Sequence, residues 1–133
     1  MQRLAFAALA CLLGTQPILT EDLRFSSPSG NILCALSAAQ GAACFLGIDR
    51  QTHTTPPAGC RDDWGAGFAV GPDGRGNLLC YTDLFVGAPD FVLPYGAEIA
   101  VGGTRCQSSR AGMTCLNRDG GGFAISRMRQ TLF

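Results

Sequence analysis

The chain has no lysine, one histidine and one tryptophan, and only 15% of its residues are charged. No Cys-x-x-Cys pair occurs, and the longest unbroken apolar run, Leu4 to Leu13, is ten residues. Each shortage removes a class of protein. A structural zinc centre needs four closely spaced cysteine and histidine ligands, which a lone histidine and widely spaced cysteines do not supply. An apolar run of this length reaches about half of the roughly twenty residues needed to span a bilayer as a helix. A Ser-His-Asp or Cys-His mechanism would have to use His53, which sits in the polar loop Arg50–Ala58 with no carboxylate beside it in sequence and is read as a solvent-exposed loop histidine. No window shows helical periodicity long enough to build on, and no unit recurs three times at a fixed period, so neither a bundle nor a solenoid is expected.

What the chain does have is cysteine, seven in 133 residues, with one in the apolar leader and six spread through the body. The leader follows the grammar of a secretory signal: Arg3 in a short basic start, the run to Leu13, then a polar stretch from Gly14 to Asp22. We therefore expect residues 1–20 to be a signal peptide, cleaved after Gly14 or Thr20, and a single secreted domain over residues 25–133. Cys11 raises a lipoprotein reading, against which Leu9 stands two residues before the cysteine where a large aliphatic residue three before is wanted. With the leader removed the cysteine count is even, as a disulfide-stapled exported domain requires. The expected location is periplasmic or extracellular, with no transmembrane anchor in the mature form.

Every basic residue is arginine, and after residue 20 nine arginines face ten acids. The signs are unevenly distributed. Residues 49–98 hold seven acids against Arg50, Arg61 and Arg75, whereas residues 105–129 hold five arginines against Asp119 alone. Two oppositely charged solvated faces account for this, and the basic one could meet an anionic envelope partner such as a surface glycan, a lipid headgroup or an acidic protein. Nucleic acid is not an expected partner, because the arginines are scattered and no aromatics interleave with them.

Glycine (18) and proline (7) punctuate short apolar runs, which favours strands. The runs are Asn31–Leu36, Ala42–Gly47, Gly67–Gly71, Asn77–Thr82, Glu98–Cys106, Gly112–Asn117 and Gly122–Arg127. About seven short strands in this length make an all-β fold, a small antiparallel sandwich or barrel. Alternation puts Ile32, Cys34 and Leu36 on one face, and it groups Leu78 with Cys80 and Met113 with Cys115, so these cysteines are expected to sit with core residues. Two echoes occur. Ser27-Pro28-Ser29-Gly30 and Gly71-Pro72-Asp73-Gly74 each lead to a strand ending in cysteine, and Gly67-Phe68-Ala69-Val70 resembles Gly122-Phe123-Ala124-Ile125.

Six cysteines allow fifteen connectivities, and spacing favours one of them. Cys34 and Cys44 bracket nine residues, and Cys106 and Cys115 bracket eight, each the length of a hairpin; Cys60 and Cys80 remain for each other. Chain-entropy arithmetic gives about 3 kcal/mol for each bridge.

The islands Phe25-Ser26-Ser27-Pro28-Ser29-Gly30-Asn31-Ile32-Leu33-Cys34, Cys60-Arg61-Asp62-Asp63-Trp64-Gly65, Leu93-Pro94-Tyr95-Gly96, Gly112-Met113-Thr114-Cys115-Leu116-Asn117 and Gly122-Phe123-Ala124-Ile125-Ser126-Arg127 together carry a resemblance. From Phe25 onward the chain resembles a family of small secreted bacterial proteins classed as a domain of unknown function. That resemblance implies export and disulfides and no particular chemistry. Two positions depart from it: Tyr81-Thr82-Asp83-Leu84, where the family often has a Gly-Asp-Thr run, and Gly121, where many members carry a polar residue or histidine.

The functional reading is a non-catalytic binding or envelope-interaction module with no cofactor and no metal. Its candidate contact residues are Trp64, Tyr95 and Arg127, with Ser29 and Asn31 more simply explained as turn residues bonding local backbone. The alternative is a small secreted hydrolase using Asp62 or Asp63 with Asp83. Adjacent residues of a strand face opposite ways, so Asp62 and Asp63 flank one bond only if a turn intervenes. Asn117-Arg118-Asp119-Gly120 and Pro72-Asp73-Gly74 offer too few oxygen ligands for calcium and are read as turns.

Overall fold

In a computed structural model, residues 22–83 and 87–133 are described. The leader, with Cys11 and both cleavage positions, lies outside these residues. The described residues contain no helix, hence none long and apolar enough to cross a membrane. Among the described residues eleven strands run in order: β1 (Leu23–Ser26), β2 (Ile32–Ser37), β3 (Gly41–Leu46), β4 (Asp63–Val70), β5 (Asn77–Tyr81), β6 (Phe91–Val92), β7 (Glu98–Val101), β8 (Thr104–Ser109), β9 (Gly112–Leu116), β10 (Gly122–Ile125) and β11 (Gln130–Leu132). They form two sheets, ordered β5-β4-β3-β2-β1-β6 and β11-β10-β9-β8-β7. The β1–β6 pair is parallel, and every other pairing is antiparallel.

The all-β expectation holds, with more strands than periodicity suggested. Glu98–Cys106 is not one strand: Gly102 and Gly103 turn the chain, so β7 and β8 are a hairpin. β4 starts at Asp63 rather than Gly67, and a register shift between Trp64 and Phe68 marks a bulge that hid its first half from simple alternation. β1, β6 and β11 are only two to four residues long and lack an alternating signal of their own.

Each sheet carries one continuous cross-strand row through its centre. In the first, Phe91, Phe25, Cys34, Cys44, Phe68 and Leu78 are successive partners. In the second, Ile99, Cys106, Cys115, Phe123 and Leu132 are. The rows share an inner pattern of two bridged cysteines followed by a phenylalanine, and they pack face to face. Cys44 Sγ lies 3.9 Å from Cys115 Sγ, and the Phe68 and Phe123 rings are 6.4 Å apart. All four cysteines and both phenylalanines are fully buried. Gly67–Val70 and Gly122–Ile125 therefore occupy matching places in two three-strand units, β2-β3-β4 and β8-β9-β10. The other echo is turn chemistry only, because Cys34 belongs to a central row while Cys80 lies on edge strand β5.

The bridges are Cys34–Cys44, Cys60–Cys80 and Cys106–Cys115, as spacing indicated. The first and third lie in the core, but Cys80 is exposed and Cys60 half-buried. This corrects the placing of Cys80 among core residues. β5 ends its sheet, so alternation there does not guarantee a covering layer.

Two turns fasten the sheets together on the β5 side. The Asn117 side chain is buried and donates from Nδ2 to the carbonyls of Gly71 (3.1 Å) and Gly74 (2.8 Å). Its Oδ1 accepts from the backbone N–H of Asp119 (2.9 Å) and Gly121 (3.0 Å). The Gly74 N–H in turn donates to Asp119 Oδ2 at 3.0 Å. The two segments read from sequence as separate turns thus form one locked pair. Gly121 has a packing reason to lack a side chain: a Cβ there would overlap the Gly74 carbonyl oxygen and come within 2.8 Å of its carbonyl carbon.

Candidate functional site

The two sheets open at one end into a cleft of about 370 Å³. The β1–β2 turn contributes Ser27, Ser29 and Asn31 to one wall. The opposite side comes from the second sheet and its loops: Tyr95 ahead of β7, Arg110 at the tip of the β8–β9 hairpin, and Ser126, Arg127 and Met128 after β10. Segments far apart in sequence converge here because every one is a loop at the same end of the sandwich. Loops on a rigid scaffold are where recognition residues concentrate.

Most of the wall is spoken for locally. Ser27 Oγ accepts from the Ile32 N–H (3.1 Å), and Ser29 Oγ accepts from the Asn31 N–H (3.3 Å). Asn31 exchanges two bonds with Gly47, Nδ2 to its carbonyl at 3.2 Å and Oδ1 from its N–H at 3.3 Å. Ser29 and Asn31 therefore hold the turn, as the local reading of each proposed. The side chains left facing solvent are Tyr95, Arg110, Arg127 and Met128. The Arg110 guanidinium lies over the Tyr95 ring, 5.3 Å from its centroid. A cation on an aromatic face is held there by the ring quadrupole, which fixes both groups. Arg127 Nη1 is 3.9 Å from Asp49 Oδ1, with both side chains more than half exposed. Such a pair is worth little and is readily exchanged for another carboxylate.

Of the three candidates named from sequence, Tyr95 and Arg127 share this cleft and Trp64 does not. Trp64 is half-buried on β4, paired in register with Cys80 of the Cys60–Cys80 bridge. Arg110 and Met128 escaped sequence reasoning. The signal for Arg110 was the hairpin bracketed by Cys106 and Cys115, which puts that residue at a tip. Met128, between Arg127 and Arg129, is 57% exposed, which no local rule foretells for an apolar residue.

The remaining candidates behave as scaffold. His53 is half-buried, with its ring 6.0 Å from that of Phe68 and its Nε2 3.1 Å from the Gln130 carbonyl, so Nε2 donates. This corrects the picture of a free loop histidine. We expect His53→Ala to cost about 1 kcal/mol through lost packing and one hydrogen bond, with ligand capture unchanged. Denaturant titration beside a binding assay checks both. Asp62, Asp63 and Asp83 are all exposed. Among the described residues no group of three or more histidine, cysteine or acidic side chains could hold a metal ion. A slightly larger depression, about 400 Å³, lies on the outer face of the first sheet, where Ala35, Ala43 and Ala69 are successive partners. Phe45 and Leu79 line it beside these alanines, and its charged and amide groups are Asp22, Arg24 and Gln40, with Arg24 the partner of Ala35 in the same row.

These features define a small disulfide-stapled β-sandwich with an arginine-bearing cleft at one end. The chain matches the model of the family of unknown function DUF6636 over residues 6–133 and belongs to that family. No curated protein and no solved structure matches it.

Proposed function

We propose that this protein is an exported, non-catalytic binding module of the periplasm or cell exterior, and that it holds an anionic partner in the cleft at the open end of the sandwich. The observation that carries the reading is the make-up of that cleft: among the described residues Arg110 and Arg127 line it, and no carboxylate does. The module as a whole is close to neutral, so two guanidiniums on one mouth create a local field rather than a general stickiness. Three disulfides support an oxidising compartment, and the apolar leader supports export.

The test is affinity capture from an envelope extract under oxidising conditions, comparing the native protein with the double variant Arg110→Glu, Arg127→Glu. Reversing two exposed charges exchanges attraction for repulsion and should reduce the captured anionic component about tenfold or more. Arg75→Glu, on the turn before β5, serves as the control and should leave capture unchanged. Equal capture by native and doubly reversed protein would sink the reading.

A further inference from the structure

The four-residue turn between β10 and β11, Ser126 to Arg129, is held more tightly than a hairpin end needs. The Ser126 N–H donates to the Arg129 carbonyl at 2.8 Å, the Ser126 hydroxyl donates to that carbonyl at 3.1 Å, and its oxygen accepts from the Arg129 N–H at 3.2 Å. The Arg127 carbonyl accepts from the N–H groups of Asp49 (2.9 Å) and Arg50 (3.0 Å). Gln130, 3% exposed, donates from Nε2 to the carbonyls of Ser126 (2.9 Å) and Arg50 (3.1 Å), and its Oε1 accepts from the Thr52 N–H (2.9 Å). The backbone of the tip is thus bonded inward on several sides, while the side chains of Arg127, Met128 and Arg129 are all exposed.

We propose that this Arg127-Met128-Arg129 tip, with Arg110 beside it, docks into an acidic cleft of a partner protein, Met128 seated in an apolar socket and the guanidiniums paired with carboxylates around it. This rests on the anionic-partner reading above and adds the partner's class. A tip already locked in one conformation loses little freedom on docking, which is where affinity in loop-insertion interfaces comes from. Arginine, methionine and tyrosine are the residue types enriched at protein interfaces. The geometry disfavours a glycan, because the Tyr95 ring already carries the Arg110 guanidinium 5.3 Å over its face and offers no free platform on that side. It disfavours a lipid surface too, because Met128 is one exposed apolar side chain between two cations rather than a contiguous apolar face.

The experiment titrates three probes into the oxidised, isotope-labelled protein: a capped peptide of alternating glutamate and leucine, a heparin tetrasaccharide, and phosphatidylglycerol vesicles. Resonances of the three arginine Nε groups and the Met128 methyl are followed by NMR. Saturable shifts of all four with the peptide are expected, with the double variant Arg127→Glu, Arg129→Glu raising Kd about tenfold and Met128→Ser raising it about fivefold. Tighter binding of the tetrasaccharide or the vesicles at the same residues would overturn the protein-partner assignment and leave the anionic cleft standing. Peptide binding indifferent to Met128→Ser overturns the docking geometry. No shift at the cleft with any probe overturns both readings.

Discussion

Replacing Cys34, Cys44, Cys106 and Cys115 together by alanine is expected to abolish cooperative folding. Loop-closure arithmetic alone ranks the bridges by separation, and the separations are 10, 9 and 20 residues. On that basis each short loop is worth about 3 kcal/mol and the Cys60–Cys80 loop slightly more. Burial reverses the order. The two short-loop bridges sit fully buried at the centre of both cross-strand rows and touch across the sandwich. Removing them opens a void where the sheets meet, at a further cost of about 1 kcal/mol or more per bridge. Their joint loss, about 8 kcal/mol, is comparable with the whole stability of a domain this size. Losing Cys60–Cys80, half-exposed at the edge, should cost about 3 kcal/mol and leave a folded protein. Equilibrium denaturation of both variants under oxidising conditions distinguishes these cases. A core variant that still melts cooperatively, near the edge variant's midpoint, would contradict the account.

The second large effect is expected at Asn117. Its side chain makes four hydrogen bonds to main-chain groups of two turns. Asn117→Ala removes them all in a buried site and should cost about 3–4 kcal/mol, near 1 kcal/mol for each bond lost. Asn117→Asp keeps the acceptor, loses the donors and presents carboxylate oxygen to the carbonyls of Gly71 and Gly74; it should be no better tolerated than alanine. Gly121→Ala attacks the same junction from the steric side, because its new methyl meets Gly74 backbone rather than a yielding side chain. Overpacking of that kind typically costs about 1–3 kcal/mol. Hydrogen exchange should localise the damage to the Gly71–Gly76 and Asn117–Gly121 turns. A loss below about 1 kcal/mol for Asn117→Ala would mean that solvent replaces these bonds without penalty.

Two of the bridges were legible in the sequence because a disulfide across a hairpin is a local matter: nine or eight intervening residues bring two facing positions together wherever the hairpin sits, and Cys60–Cys80 followed by elimination. Strands with an inner and an outer face were legible for the same reason, as Ile32, Cys34 and Leu36 show. Strands defined by their neighbours were not. β1 owes its existence to pairing with β2 and β6, and β11 to β10 and to the bonds Gln130 makes with the Arg50–His53 segment. Cys80 was misplaced because alternation reports a face and not whether anything covers it. At the cleft, Tyr95 and Arg127 could be singled out by residue type and turn context, and Trp64 was singled out on the same grounds although it stands apart. Arg110 meets Tyr95 within the second sheet, where the chain ahead of β7 continues to bond β8 at Ser108, and that register is set by strand pairing that residue type and turn context do not encode.

The contact between the two core bridges also bears on how the molecule matures. A partly oxidised chain whose sheets have already met holds Cys44 next to a sulfur that belongs to a different pair. Four cysteines can join in three ways, and once collapse outruns oxidation a cross-sheet link through Cys44 and Cys115 competes with the native hairpin pairs, which lie equally near. Yield in the laboratory should therefore depend on a thiol–disulfide couple able to undo mistakes rather than on oxidant strength. In its host the same logic makes a reshuffling catalyst, and not merely an oxidising space, the natural requirement for producing this protein.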